Sequence, residues 1–223
     1  MARYAAVLIH GLPQLNMEFF IRDHMRFLPG WDCIVFTCEQ NSYLSTENVK
    51  LITLPSSRFD TYQKFERFKK SAWLWEQLTG YERVLTFEHD SKLLRTGIEE
   101  FLEWDYIGAP WGTKPCYMGL PVGNGGLSLR NPRVMLKIAK AWWTRKIQPE
   151  DLFFVMNMPK VGGQIAPREV AGKFACETLF QLGTLGCHAI NKYLTPAQVK
   201  QVLSQYDESE DLRNAATPDS VSS

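Results

Sequence analysis

Apolar positions along this chain alternate between short unbroken runs and helix-like spacing. Tyr4 to Ile9 is an apolar run of strand length, closed by the turn signal His10-Gly11-Leu12-Pro13. From Leu15 to Phe27 the apolar groups fall at amphipathic-helix spacing, with Leu15, Phe19, Phe20 and Phe27 directed to the core and Pro29-Gly30 ending the helix. Cys33–Thr37 and Val49–Leu54 are two further β-rich runs. Asp60 then serves as the N-cap of one long helix carrying Tyr62, Phe65, Phe68, Trp73, Trp75 and Leu78, closed by Gly80. Arg83 to Phe87 is the fourth strand run.

Strand and helix thus alternate over the first ninety residues, which predicts an α/β domain with a mostly parallel central sheet flanked by helices. Beyond them the texture changes. Glycine, proline and tryptophan are dense between Gly108 and Gly126, and Gly125 to Arg130 returns to the sheet as a strand. Asn131-Pro132 starts a helix through Val134, Leu136, Ile138, Ala141 and Trp142. Pro149 precedes a helix from Glu150 to Met156, a loop holds Gly162 and Gly163, and Pro196 opens a last helix through Val199, Val202 and Leu203. No internal repeat or linker divides the chain, so residues 1–205 are expected to form a single domain. Residues 206–223 turn acidic and then rich in Ser, Ala and Thr, the composition of a disordered tail.

Composition narrows the classes. A net charge of +1 gives no global field to attract nucleic acid or a membrane surface. The local basic run Lys64, Arg67, Lys69 and Lys70 reads as a solvated helix face, with a phosphate-facing patch as the minority reading. Five scattered cysteines, Cys33, Cys38, Cys116, Cys176 and Cys187, give neither a disulfide framework nor a paired C-x-x-C zinc spacing. The first apolar run is too short for a signal peptide and no stretch is long enough to span a bilayer. The expectation is a cytoplasmic protein without a membrane partner.

Candidate chemistry begins at Val84-Leu85-Thr86-Phe87-Glu88-His89-Asp90, where two acids one residue apart end a hydrophobic strand. Alternation turns both to one face, at the carboxyl end where open α/β sheets bind ligands. Carboxylates held that way suit a hard divalent cation that bridges to phosphates. Asp90 is the expected ligand; Glu88 would hold the cation or a ribose hydroxyl. A helix cap is the competing reading, but Ser91-Lys92 offers no helix to cap. Gly123-Asn124-Gly125-Gly126 allows close backbone approach to a ligand, or a tight turn into a strand, and it is neither a dinucleotide fingerprint nor a P-loop. Pro149-Glu150-Asp151 is either an ordinary helix start or the place of a carboxylate base. A neutral His188 would complete a metal site begun by Asp90.

The ordered set Asp105-Tyr106-Ile107-Gly108-Ala109-Pro110-Trp111, Gly123-Asn124-Gly125-Gly126-Leu127-Ser128-Leu129-Arg130, Glu150-Asp151, Ala175-Cys176-Glu177-Thr178 and Gly186-Cys187-His188 resembles a family of small, largely uncharacterised glycosyltransferase-like domains with the GT-A fold. More distantly it is similar to the Fringe-type inverting β-1,3-glycosyltransferases. The resemblance covers residues 1–205, with its most specific part at the centre. It implies a nucleoside-diphosphate sugar donor, a hydroxyl acceptor (glycan, protein, small molecule or modified nucleic acid) and Mn2+ or Mg2+ as cofactor. It makes Asp90 the main metal ligand, with Glu88 less firmly placed and His188 completing the metal or diphosphate site. Asp151, the last acid of its Glu150-Asp151 pair, would be the general base. Asn124, Gly125 and Gly126 would shape the donor pocket, and His10 and Tyr62 lie where the base of the nucleotide is held. Direct displacement would invert the anomeric centre, with a retaining outcome left open. The rivals are sugar transfer to a modified nucleic-acid base, a nucleotidyltransferase, for which His10-Gly11-Leu12-Pro13 is a poor phosphate loop, and a GT-A-fold binding module without turnover.

Overall fold

The computed structural model describes residues 2–13, 16–44, 48–112, 119–142 and 148–216, the last ten of these by backbone alone. Leu15 and Cys116 lie outside the described residues. The chain is α/β. Strands β1 (Tyr4–His10), β2 (Asp32–Cys38), β3 (Val49–Leu54), β4 (Arg83–Phe87), β6 (Tyr106–Ile107) and β7 (Leu127–Arg130) form a six-stranded sheet of order β3-β2-β1-β4-β7-β6, and β5 (Ser91–Leu93), β8 (Ala175–Cys176) and β9 (Gly186–His188) form a second sheet of order β5-β9-β8. The pairings β3-β2, β2-β1 and β1-β4 are parallel. Those of β7 with β4 and with β6 are antiparallel, so the sheet is mixed. Strand direction is not written in an apolar run, which is why the reversal at β7 is invisible in the sequence.

The helices are α1 (Met17–Met25), α2 (Tyr62–Lys69), α3 (Ala72–Glu76), α4 (Pro132–Trp142), α5 (Glu150–Asn157), α6 (Arg168–Phe174), α7 (Ile190–Tyr193) and α8 (Pro196–Ala216). They cover both faces of the large sheet. On one face His24 of α1 stacks on Phe87 with ring centroids 4.3 Å apart. On the other, Thr86 bonds Ser128, Ser128 bonds Arg130, and Arg130 lies among Trp75 of α3 and Phe154 of α5. Thr86 and Phe87 are consecutive strand residues and so point to opposite faces. The interior of β1 and β2 is fully buried, as their continuous apolar runs require. No helix among the described residues is long and apolar enough to cross a membrane.

Four local expectations are corrected. The long helix from residue 60 is two helices: Thr61, not Asp60, caps α2 through Lys64 N–H, and Ser71 starts α3 by accepting from Leu74 N–H. In α1 the buried set is Met17, Ile21 and His24, while Phe19 is exposed. The basic run is solvated only at Lys64 and Arg67, because Lys69 and Lys70 are buried. Helix α8 continues past residue 206 to Ala216, into the segment read as a tail.

Candidate active site

The order β3-β2-β1-β4 reverses direction between β1 and β4, and at such a switch point the diverging loops leave a crevice at the strands' carboxyl ends. A cavity of about 340 Å³ occupies it, lined by residues of β1 and its turn (His10, Leu12), of the α2 start (Phe59, Tyr62, Phe65) and by Glu88 and His89. His10 and Tyr62, remote in sequence, therefore share one cavity with Glu88. Tyr62 is exposed, and His10 is buried with its Nε2 unpartnered among the described residues. Burial, and then the neighbouring His89, lower the His10 pKa, so the ring is kept neutral.

Strand β4 stops at Phe87, so Glu88 and Asp90 do not meet by strand alternation. A turn brings them together: Ser91 N–H and Ser91 Oγ–H both donate to the Glu88 carbonyl, at 3.0 and 2.7 Å. Pairing of β5 with β9 then sets His188 opposite Ser91, beside Asp90. Among the described residues Glu88, Asp90 and His188 each offer a ligand atom, all within 4.8 Å of one another. His188 Nε2 lies 3.1 Å from Asp90 Oδ1 and 3.9 Å from Glu88 Oε2. Asp90 Oδ1 and His188 Nε2 are both buried and meet only in this ion-pair contact at 3.1 Å. A divalent cation placed between them would take a lone pair from each. Two carboxylates with one imidazole are a fitting donor set for Mn2+ or Mg2+.

Glu177 completes the imidazole's surroundings. The β8-β9 pairing, with Cys176 opposite Cys187, brings Glu177 Oε1 to 3.0 Å from His188 Nδ1. A carboxylate there holds the Nδ1–H, and a metal would take Nε2 in place of a proton. Burial alone would lower the His188 pKa, but the carboxylates of Asp90 and Glu177 outweigh it and raise it to about 9. His188, followed by Lys192, holds the Asp90 carboxyl well below the usual range. Glu177 stood in the sequence motifs without a role, since only the pairing of two very short strands reveals one.

The glycine-rich loop lies between this centre and a second acidic cluster. Asn124 is buried in a left-handed backbone (φ 78), and its Oδ1 accepts from Gly126 N–H and Leu127 N–H. Its Oδ1 therefore builds the loop, while its buried Nδ2 has no partner among the described residues. A Cβ on Gly125 would come within 2.2 Å of Glu150 Oε1, and one on Gly126 within 2.1 Å of His188 Nε2. The absent side chains are what allow both clusters to press against one loop.

In the second cluster Glu150 is buried and bidentate with Arg130, at 2.7 and 2.9 Å. Its N–H donates to Glu66 Oε2 from α2, which caps α5 in place of Pro149. Lys69 Nζ lies 2.7 Å from Glu66, 3.3 Å from Glu88 and 3.9 Å from Glu150. Both Glu150 oxygens are held by the Arg130 guanidinium, and Glu150 is fully buried. Asp151 differs. It is half-buried; Oδ2 accepts from Asn124 N–H at 3.1 Å and Oδ1 from Leu152 N–H at 2.7 Å. Burial, then the Glu150 charge, raise its pKa, and its own charge reaches both Tyr62 and Tyr193. Arg130 and Lys192 were not legible as parts of a site because their partners Glu150 and Asp90 lie far away in the chain, and Glu66 with Lys69 reads by itself as an ordinary pair on one helix.

No curated protein matches this chain. Residues 48–188 match the family described as "Protein of unknown function (DUF5672)", a span from just before β3 to His188 that contains Glu88, Asp90, Asn124, Asp151 and Glu177. With more than half of its length so matched, the chain belongs to the DUF5672 family.

Proposed function

We propose that this chain is a metal-dependent glycosyltransferase of the GT-A type, moving a sugar from a nucleoside-diphosphate donor to a hydroxyl acceptor. One observation carries the reading: three ligand atoms of Glu88, Asp90 and His188 converge beside the switch-point cavity. The mixed sheet order, and the position of these acids after the fourth strand, support the GT-A assignment.

The cavity suits the base and ribose of a nucleotide. Leu12, Phe59, Tyr62 and Phe65 supply apolar and aromatic wall, and His10 offers a polar nitrogen. Glu88, Asp90 and His188 would hold Mn2+ or Mg2+ at its edge. A bound divalent cation offsets the negative charge that grows on a departing diphosphate, which is worth several kcal/mol. Asp151 is the base in this reading. Its two backbone N–H donors fix the carboxylate, and its raised pKa makes it a better proton acceptor than an ordinary aspartate. It takes the acceptor's hydroxyl proton as the oxygen attacks the anomeric carbon, and direct attack inverts that centre. Glu150, locked to Arg130, holds the first turn of α5 and so the place of Asp151.

The test is thermal stabilisation by a panel of nucleotide sugars with and without Mn2+, followed by two variants. One donor should raise the melting temperature only with Mn2+. Asp90→Asn should abolish that stabilisation. Asp151→Asn should keep it while transfer falls by about 10²- to 10⁴-fold. Stabilisation by nucleoside triphosphates but by no nucleotide sugar would overturn the reading in favour of nucleotidyl transfer.

A further inference from the structure

The chain after His188 closes around Asp90. Ala189 has a left-handed backbone (φ 51), which a residue with a Cβ adopts only when its surroundings enforce it. That turn leads from β9 into α7 and lets Ala189 N–H donate to the Asp90 carbonyl at 3.0 Å. Three residues on, Lys192 Nζ donates to Asp90 Oδ2 at 2.9 Å. The two oxygens of Asp90 are thereby divided. Oδ1 is buried and faces His188; Oδ2 faces Lys192 on the solvent side.

Lys192 is a poor stabilising device in that position. Its side chain is 65% exposed, and ion pairs that open to water contribute little to stability. Its ammonium has three donors, and Asp90 takes one of them. The interior side of the centre is filled by Glu88, by His188 and by Gly126 packed on the imidazole. Lys192 stands on the exposed side of Asp90, within reach of an anionic ligand on a cation held there. A cation on Asp90 also competes for the carboxylate charge that now holds Lys192, which frees the lysine to turn to the ligand.

We propose that Lys192 is a ligand-binding residue for a diphosphate group, its ammonium contacting the phosphate oxygens beside a divalent cation held by Glu88, Asp90 and His188. Lysine binds phosphate as a mobile point charge, which suits a side chain that changes partner. The inference deepens the metal-dependent reading above and rests on it.

Two titrations separate them. Mn2+ alone is titrated into wild type, K192M and K192R, followed by the paramagnetic signal of free Mn2+. The preformed Mn2+ complex of inorganic pyrophosphate is then titrated by calorimetry. Mn2+ should bind K192M within about twofold of wild type, while the pyrophosphate complex binds about tenfold more weakly, the loss of one charge-assisted hydrogen bond; K192R should retain most of the affinity. Equal pyrophosphate affinity in wild type and K192M would overturn the assignment. So would an equal weakening of Mn2+ and pyrophosphate, which would make Lys192 a clamp for Asp90. A wild-type chain that binds no Mn2+ would instead overturn the metal-dependent reading itself.

Discussion

Two acidic clusters lie on either side of the Asn124–Gly126 loop, and they are built to opposite ends. Around Lys69, the carboxylates of Glu66 and Glu150 are buried and matched by Lys69 and Arg130, with both Glu150 oxygens held. Around His188, Asp90 and Glu88 are partly exposed to solvent, and Asp90 Oδ1 and His188 Nε2 face one another at 3.1 Å within reach of an added ion. Similar side chains thus make a closed network and an open one. The closed cluster satisfies its own charges and answers to stability. The open one leaves carboxylate and imidazole atoms within reach of one added cation, and the proposed metal site rests on that arrangement. Glu88 belongs to both, with Oε1 on Lys69 and Oε2 toward His188.

The sharpest way to break this contrast is at Arg130. Arg130→Met leaves Glu150 charged and buried without its bidentate partner, and should cost about 3–5 kcal/mol in urea unfolding. Arg130→Met combined with Glu150→Leu should recover much of that loss, since apolar replacement of a buried pair is often near neutral. Mn2+ affinity of the double variant should stay close to wild type. A large loss of Mn2+ affinity there would show that the closed cluster also serves the metal.

Acid should act through neither cluster first, but through His24. Its ring is buried between Phe87 and Ser91, with Nδ1 2.8 Å from the Phe20 carbonyl, and burial lowers its pKa to about 4. The folded value lies below the unfolded one of about 6.5, so the folded state favours the neutral ring. Its stabilisation is complete above about pH 6.5 and is lost as pH falls toward 4, a change of about 3 kcal/mol at 1.36 kcal/mol per pH unit. Unfolding midpoints at pH 7, 5.5 and 4.5 should fall steeply in wild type and more gently in His24→Gln. Parallel profiles would assign the acid sensitivity elsewhere.

Much of this was legible in advance, and the failures have physical causes. The runs that became β1 to β4 are fully apolar or β-rich, so strand length and burial follow from them directly. Asp90 drew notice because it follows a recognisable strand, and Asp151 because it stands in the first turn of a recognisable helix. What escaped was set by pairing across the chain. Strands β5, β8 and β9 are two or three residues long, too short for any periodicity, yet they carry Glu177 to His188. Lys69 and Lys70 looked solvated because the acids that bury Lys69 come from residues 88 and 150, and Lys70 bonds the Gln148 carbonyl. Phe19 was misplaced because the inward stripe of α1 runs Met17, Ile21, His24, and a histidine is not counted among apolar residues. The break before Ser71 was readable after all, since serine at an N-cap is a common helix start.

The two glycines compare the clusters within one loop. Gly125→Ala places a methyl against Glu150 in the closed network, and Gly126→Ala places one against the His188 ring. Each should cost about 1–3 kcal/mol as an overpacked site. The loss for Gly125→Ala should be the same with and without Mn2+. For Gly126→Ala, displaced imidazole should add a weakened response to Mn2+, read as a smaller shift in melting temperature at saturating ion. Identical Mn2+ responses would mean that the loop does not discriminate between the clusters.

The smallest expected effect tests the open cluster from behind. Glu177 touches the imidazole on the side away from the other ligands, accepting from Nδ1 at 3.0 Å, and is itself buried. Glu177→Gln keeps an oxygen acceptor of the same length, so the Nδ1–H tautomer and the ring's direction should persist. What disappears is the negative charge that makes Nε2 a stronger donor. Changes of this kind cost about 10- to 100-fold in metal affinity, and the conservative amide should sit at the lower end, about tenfold for Mn2+. Glu177→Ala also removes the acceptor and leaves a buried N–H unpaired, so it should fall further. If glutamine and alanine were equally mild, His188 would be oriented by packing alone, and the open cluster would owe its readiness to the loop rather than to Glu177.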